Sequence, residues 1–90
     1  MEDKNPIQVA DRLFGALELL AENGDAGVME VSTALGLNKS TAHRVLNSLI
    51  YMGYARQNEE TGRYEPSLKV VDLANKVMKH VDIVQAVRPY

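Results

Sequence analysis

Ninety residues, 46% hydrophobic and 24% charged, with a net charge of −2, describe roughly one soluble globular domain with little core to spare for a closed catalytic pocket. The absence of cysteine excludes a disulfide framework, an iron–sulfur cluster, a thiolate zinc site and a cysteine nucleophile. The longest uncharged stretch, Val45 to Ala55, falls short of the roughly 20 apolar residues of a membrane span. The opening Met1-Glu2-Asp3-Lys4-Asn5 is acidic and unlike a secretory signal, so the expectation is a cytoplasmic protein without a membrane partner.

The charge is unevenly spread. From Val31 to Asn58 no residue is acidic, while Lys39, Arg44 and Arg56 are basic, so the middle of the chain is locally cationic and the remainder is acidic.

In chain order, Ala10, Leu13, Phe14, Leu17, Leu20 and Ala21 recur at helical spacing and predict a first helix with that face buried, ending at Asn23-Gly24. Asp25-Ala26-Gly27 reads as a loop, with Gly27-Val28 leaving room for a very short strand. A brief second helix with Val31, Ala34 and Leu35 as its apolar positions stops at Gly36. Asn38 is a suitable N-cap for a third helix, about 39–52, that Gly53 closes. Two helices separated only by Gly36-Leu37-Asn38 match a helix-turn-helix.

The faces of the third helix test that reading. Ala42, Val45, Leu46, Leu49 and Ile50 fall on one side, while Ser40, Arg44, Asn47 and Tyr51 fall nearly opposite, flanked by Thr41, His43 and Ser48. A face with an arginine, hydroxyls and an amide but no carboxylate suits the major groove, because arginine can pair with a guanine edge, asparagine with adenine, and hydroxyls with phosphate.

Beyond Gly53, Tyr54-Ala55-Arg56-Gln57-Asn58 and Arg63-Tyr64-Glu65 flank Glu59-Glu60-Thr61-Gly62 and predict a β-hairpin that must lean on the helices, with Arg56 and Arg63 free to point outward. Helix-turn-helix plus hairpin is a winged helix, mainly α with a small β-hairpin, with the wing at 54–66 beside the recognition helix. Glu59 and Glu60 at the tip would weaken binding to phosphates unless the tip points away from the duplex.

These residues resemble the IclR-type transcriptional regulators. Leu35-Gly36-Leu37-Asn38-Lys39-Ser40-Thr41-Ala42-His43-Arg44-Val45-Leu46, then Met52-Gly53-Tyr54, and the wing segment Glu60-Thr61-Gly62-Arg63-Tyr64 carry the likeness from about Ile7 to Ser67. The resemblance implies a dimeric regulator whose amino-terminal winged helix binds double-stranded operator DNA and whose carboxy-terminal domain, absent from this chain, binds a small-molecule effector. It implies DNA contacts by Lys39, Ser40, Thr41, His43 and Arg44 and by the wing residue Arg63; the residues' own chemistry adds Asn47 and Arg56. Two positions depart from the family pattern: Asn38 stands where proline is common, and Glu65-Pro66-Ser67 replaces Arg-Leu-Gly.

From Leu68 on, Val70, Val71, Ala74, Val77, Met78 and Val81 form an apolar stripe, predicting a fourth helix capped by Ser67 and ending near His80-Val81. Asp82 would cap a further short segment with Ile83, Val84 and Val87 on its apolar side. The expected division is a DNA-binding domain at 1–67 and, at 68–90, a linker helix with the start of an effector domain; alternatively the stripe pairs with its twin in a homodimer. An enzyme is not expected. His43 and His80 lack metal-ligand spacing and no nucleophile or phosphate-loop motif is present, so neither metal nor cofactor is expected. The rival reading is a winged helix that binds protein, which the net negative charge favours.

Overall fold

The structure is a computed structural model that describes residues 6–81. Its elements are α1 (Pro6–Asn23), α2 (Val28–Leu35), α3 (Lys39–Tyr51), β1 (Ala55–Gln57), β2 (Tyr64–Pro66) and α4 (Leu68–Met78). This is the winged helix-turn-helix expected from the residue pattern. The segment that Asp82 was expected to cap lies outside the described residues.

Local chemistry accounts for the α2–α3 corner. Gly36 sits at φ 67° directly after α2, a left-handed conformation that costs glycine nothing and other residues a Cβ clash. The chain reverses there because Leu37 N–H donates to Ser32 O at 2.9 Å, and the Ser32 hydroxyl donates back to Leu37 O. Ser32 is thereby buried with its polar group satisfied. It takes the inward position assigned from sequence to Ala34, which is exposed. Asn38 then opens α3, its side-chain oxygen accepting from Thr41 N–H at 2.8 Å.

The core joins Ala16 and Leu20 of α1, Val31 of α2, and Ala42, Val45, Leu46 and Leu49 of α3, closed by Ala26, Ala55 and Tyr64. The third helix buries the side that its periodicity marks. The first does not: Phe14 is 62% exposed and Ala21 is exposed, while Ala16 and Leu20 are fully buried and Leu13, Leu17 and Leu19 pack against them. A Cβ at Gly15 would stand 3.3 Å from Leu35 Cδ2, so the bare Cα lets α2 seat closely on that side and turns Phe14 outward. The expected buried face was therefore misplaced toward Phe14 and Ala21, because α1 is apolar on two sides and period alone does not choose between them.

The hairpin pairs Ala55 with Pro66, Arg56 with Glu65 and Gln57 with Tyr64 in antiparallel register. On its other edge Tyr64 forms an isolated bridge with Ala26: Ala26 N–H donates to Tyr64 O at 2.9 Å and Tyr64 N–H to Ala26 O at 2.8 Å. The strand expected at Gly27-Val28 is thus a single bridging residue one position earlier. Gly27 is the N-cap of α2 and Val28 its first helical residue.

The fourth helix follows Ser67, whose hydroxyl accepts from Lys69 N–H at 3.2 Å. It has no buried residue, and Val71, Ala74, Val77 and Met78 of its apolar stripe are exposed. Among the described residues no helix is long and apolar enough to cross a membrane.

Candidate nucleic-acid interface

The outer face of α3 is polar. Lys39, Ser40, Arg44, Asn47 and Ser48 are exposed, Tyr51 is 92% exposed, and Thr41 and His43 are half-buried at its margins. The buried side chains Ala42, Val45, Leu46 and Leu49 fix the rotation of the helix, so the polar residues are presented by rigid backbone. The helix contains no carboxylate, and among the described residues neither Lys39 nor Arg44 forms an ion pair. Their charges remain available to an external anion.

Two hydroxyls on this face have intramolecular partners. Ser40 Oγ donates to Asn38 Oδ1 at 3.1 Å, reinforcing the cap, and Ser48 Oγ donates to Arg44 O at 2.9 Å, one turn back. Each hydroxyl proton is thus committed within the chain, so either side chain donates to a phosphate oxygen only by turning from that bond; Ser40 stands in the first turn, where the helix dipole favours an anion.

The wing differs from the expectation of free, outward-pointing arginines. Arg56 Nε donates at 2.9 Å to Oε2 of Glu65, its register partner on the opposite strand. Arg63 Nη2 lies 2.8 Å from Glu30 Oε1 and 3.1 Å from Asp25 Oδ1. Both wing cations are therefore balanced by carboxylates of the same molecule. The Arg63 guanidinium is held above its ordinary pKa, first by its hydrogen bond to Asp25 and then, against desolvation, by the charges of Asp25 and Glu30 and a hydrogen bond to Glu30. Glu30 Oε1, the nearer of the two oxygens, also accepts from Gly27 N–H at 2.7 Å. Sequence reasoning missed Asp25 and Glu30 because neither lies near Arg63 along the chain.

At the hairpin tip Asn58 Oδ1 accepts from Glu60 N–H at 2.8 Å and Thr61 N–H at 3.2 Å, and Glu59 and Glu60 are exposed. The contrast is between a carboxylate-free helix that carries Lys39 and Arg44 and a wing in which acids outnumber arginines.

The candidate interface is joined to α4. Lys69 Nζ donates to Met52 O at 2.8 Å and stands 4.7 Å from the centre of the Tyr54 ring. Ser67 N–H donates to Tyr54 O at 2.9 Å, and the Ser67 hydroxyl donates to Gly53 O. No sequence signal marks these contacts beyond the capping role of Ser67. Among the described residues no cluster of three or more His, Asp or Glu could hold a metal ion.

Residues 9–59 match the IclR helix-turn-helix domain. The chain is 33% identical over 86 residues to the HTH-type transcriptional regulator KdgR of Dickeya chrysanthemi, covering 93% of this chain and 28% of that protein. It is 35% identical over 80 residues to the HTH-type transcriptional regulator XynR of Escherichia coli K12, covering 88% of this chain and 32% of that one. The chain thus spans about three-tenths of the length of these relatives. Among solved structures, an IclR family transcriptional regulator from Brucella abortus superposes with a TM-score of 0.76 at 21% identity, over 96% of this chain and 34% of the other. Pseudomonas aeruginosa HmgR gives 0.75 at 22% identity, over 89% and 35%. At that identity the superpositions establish the fold.

Proposed function

The chain belongs to the IclR helix-turn-helix family, and from that premise we propose that it binds double-stranded operator DNA sequence-specifically, with α3 in the major groove and the wing alongside. The observation that carries this reading is the outer face of α3, where Lys39 and Arg44 are exposed and form no ion pair among the described residues, on a helix without carboxylates. Arg44 and Asn47, one turn apart, read base edges, while Lys39, Ser40, Thr41 and His43 near the helix start position the phosphate backbone. Arg56, exposed but paired with Glu65, is a secondary backbone contact.

Residues 1–67 form the DNA-binding unit, and 68–90 lead toward an effector-binding domain in a longer regulator that responds to a small molecule. The named relatives are transcriptional regulators, and catalysis forms no part of this reading. The net charge of −2 limits the affinity of a single copy, since few cations face phosphate. Two copies double them. The exposed apolar stripe of α4, with Val71 and Val77 each 53% exposed, supports a homodimer on a two-fold site.

Selection of bound duplexes from a random pool at low salt, with Arg44→Ala in parallel, tests this. The expected result is a two-fold motif that loses information at one position in each half-site in the variant. Failure to enrich any motif, even with the chain fused to a dimerising segment, would replace this reading with protein recognition by the same fold.

A further inference from the structure

The second strand of the wing is fastened to the segment between α1 and α2 at Tyr64, and Arg63 lies beside that junction. Tyr64 and Ala26 exchange two backbone hydrogen bonds, which bring β2 against the segment between α1 and α2. Immediately before Tyr64, the Arg63 guanidinium spans Asp25 on the residue preceding Ala26 and Glu30 in the first turn of α2. Glu30 at the same time accepts the Gly27 amide that opens α2. Arg63 O accepts from Asn58 N–H at 2.8 Å and its own N–H donates to Thr61 Oγ1 at 3.2 Å, so one residue joins the wing loop, β2 and the start of α2.

We infer that Arg63 is a positioning residue: it clamps the wing to the entry of α2 through Asp25 and Glu30, holding the hairpin in place beside α3, and it is not a phosphate ligand. The inference rests on the DNA-binding reading for its consequence but not for its geometry. The charge of a guanidinium held between two carboxylates is already balanced, and the same two acids repel a phosphate that approaches its remaining N–H groups. Kept in place, it neutralises them and fixes the angle of the wing.

The sign of one effect separates the two roles. Neutralising acids close to a DNA-binding face ordinarily strengthens binding, because repulsion is removed. If Asp25 and Glu30 act through Arg63 to hold the wing, the paired substitution Asp25→Asn and Glu30→Gln instead weakens it.

The experiment uses the 90-residue chain with Arg63→Gln, Arg63→Lys, the Asp25→Asn/Glu30→Gln pair, and all three neutralising substitutions together. Amide exchange at Ala26 and Tyr64 is followed without DNA, and affinity for the selected duplex is measured across a salt series. The expected results are exchange faster by roughly threefold in Arg63→Gln and in the acid pair, affinity lower by roughly threefold in each, no further loss when they are combined, and partial recovery with Arg63→Lys. The slope of affinity against salt stays that of the parent chain. A slope shallower by about one unit in Arg63→Gln, together with tighter binding by the acid pair, would make Arg63 a phosphate contact and overturn the inference. Unchanged exchange at both amides would overturn it as well. Should the parent chain bind no duplex, the DNA reading falls, while the exchange measurement still decides whether Arg63 clamps the wing.

Discussion

Lys69, in the first turn of α4, donates its ammonium to the carbonyl oxygen of Met52, the C-cap of α3, at 2.8 Å. The contact places a positive charge at the negative end of the α3 dipole and ties α4 to the helix that carries the candidate interface. With Tyr54 beneath the ammonium and Ser67 bonded to Gly53 and Tyr54, the orientation of α4 is set at the point where α3 ends.

Lys69→Met keeps most of the apolar stem and removes the charge. The expected loss is about 0.5–1 kcal/mol in urea unfolding, with faster exchange of the Ser67 amide that donates to Tyr54 O. Unchanged stability and exchange would show that the contact contributes nothing to the junction.

Asn38 separates folding from DNA affinity. Asn38→Ala removes the acceptor for Thr41 N–H and should cost about 1 kcal/mol in thermal unfolding. Asn38→Asp preserves the cap, and its charge favours the helix N-terminus, so stability should be kept or slightly raised. The same carboxylate stands beside Lys39 and Ser40 on the proposed phosphate side and should weaken duplex binding. Equal affinity in the aspartate variant would place phosphate away from the start of α3.

Arg44 and Lys39 are assigned different work on one helix. Arg44→Ala should cost roughly 1–3 kcal/mol on the preferred duplex and relax preference at one base pair, whereas Lys39→Ala should weaken all duplexes alike and reduce the salt slope by about one unit. Binding curves on the preferred duplex and on single-base variants distinguish these outcomes. A uniform loss in Arg44→Ala would move that residue to the backbone.

Leu46 is fully buried on the inner side of α3. Leu46→Ala should destabilise by about 2–5 kcal/mol, measured by denaturant unfolding, through lost burial and the cavity left in the core. A cost below about 1 kcal/mol would mean that α1 and the hairpin close around the smaller side chain without penalty.

The helix-turn-helix and the hairpin are legible in the residues because their determinants act within a few positions. Gly36 and Asn38 set the corner through a left-handed backbone and a side-chain cap, and the four buried side chains of α3 recur at its own period, which leaves Lys39, Arg44 and Asn47 outside. The candidate helix face follows from that arithmetic.

What only the tertiary structure decided concerns partners far apart along the chain. Phe14 and Ala16 lie on different sides of an α1 that is apolar around much of its surface, and the packing of α2 and α3 against it decides that Ala16 is buried and Phe14 exposed. Arg63 looks like a free wing cation until the Ala26–Tyr64 bridge brings Asp25 and Glu30 to its guanidinium. Helical period and capping depend on neighbours within about one turn and can be read from sequence, whereas the state of a charge depends on whatever the folded chain places within a few ångströms of it.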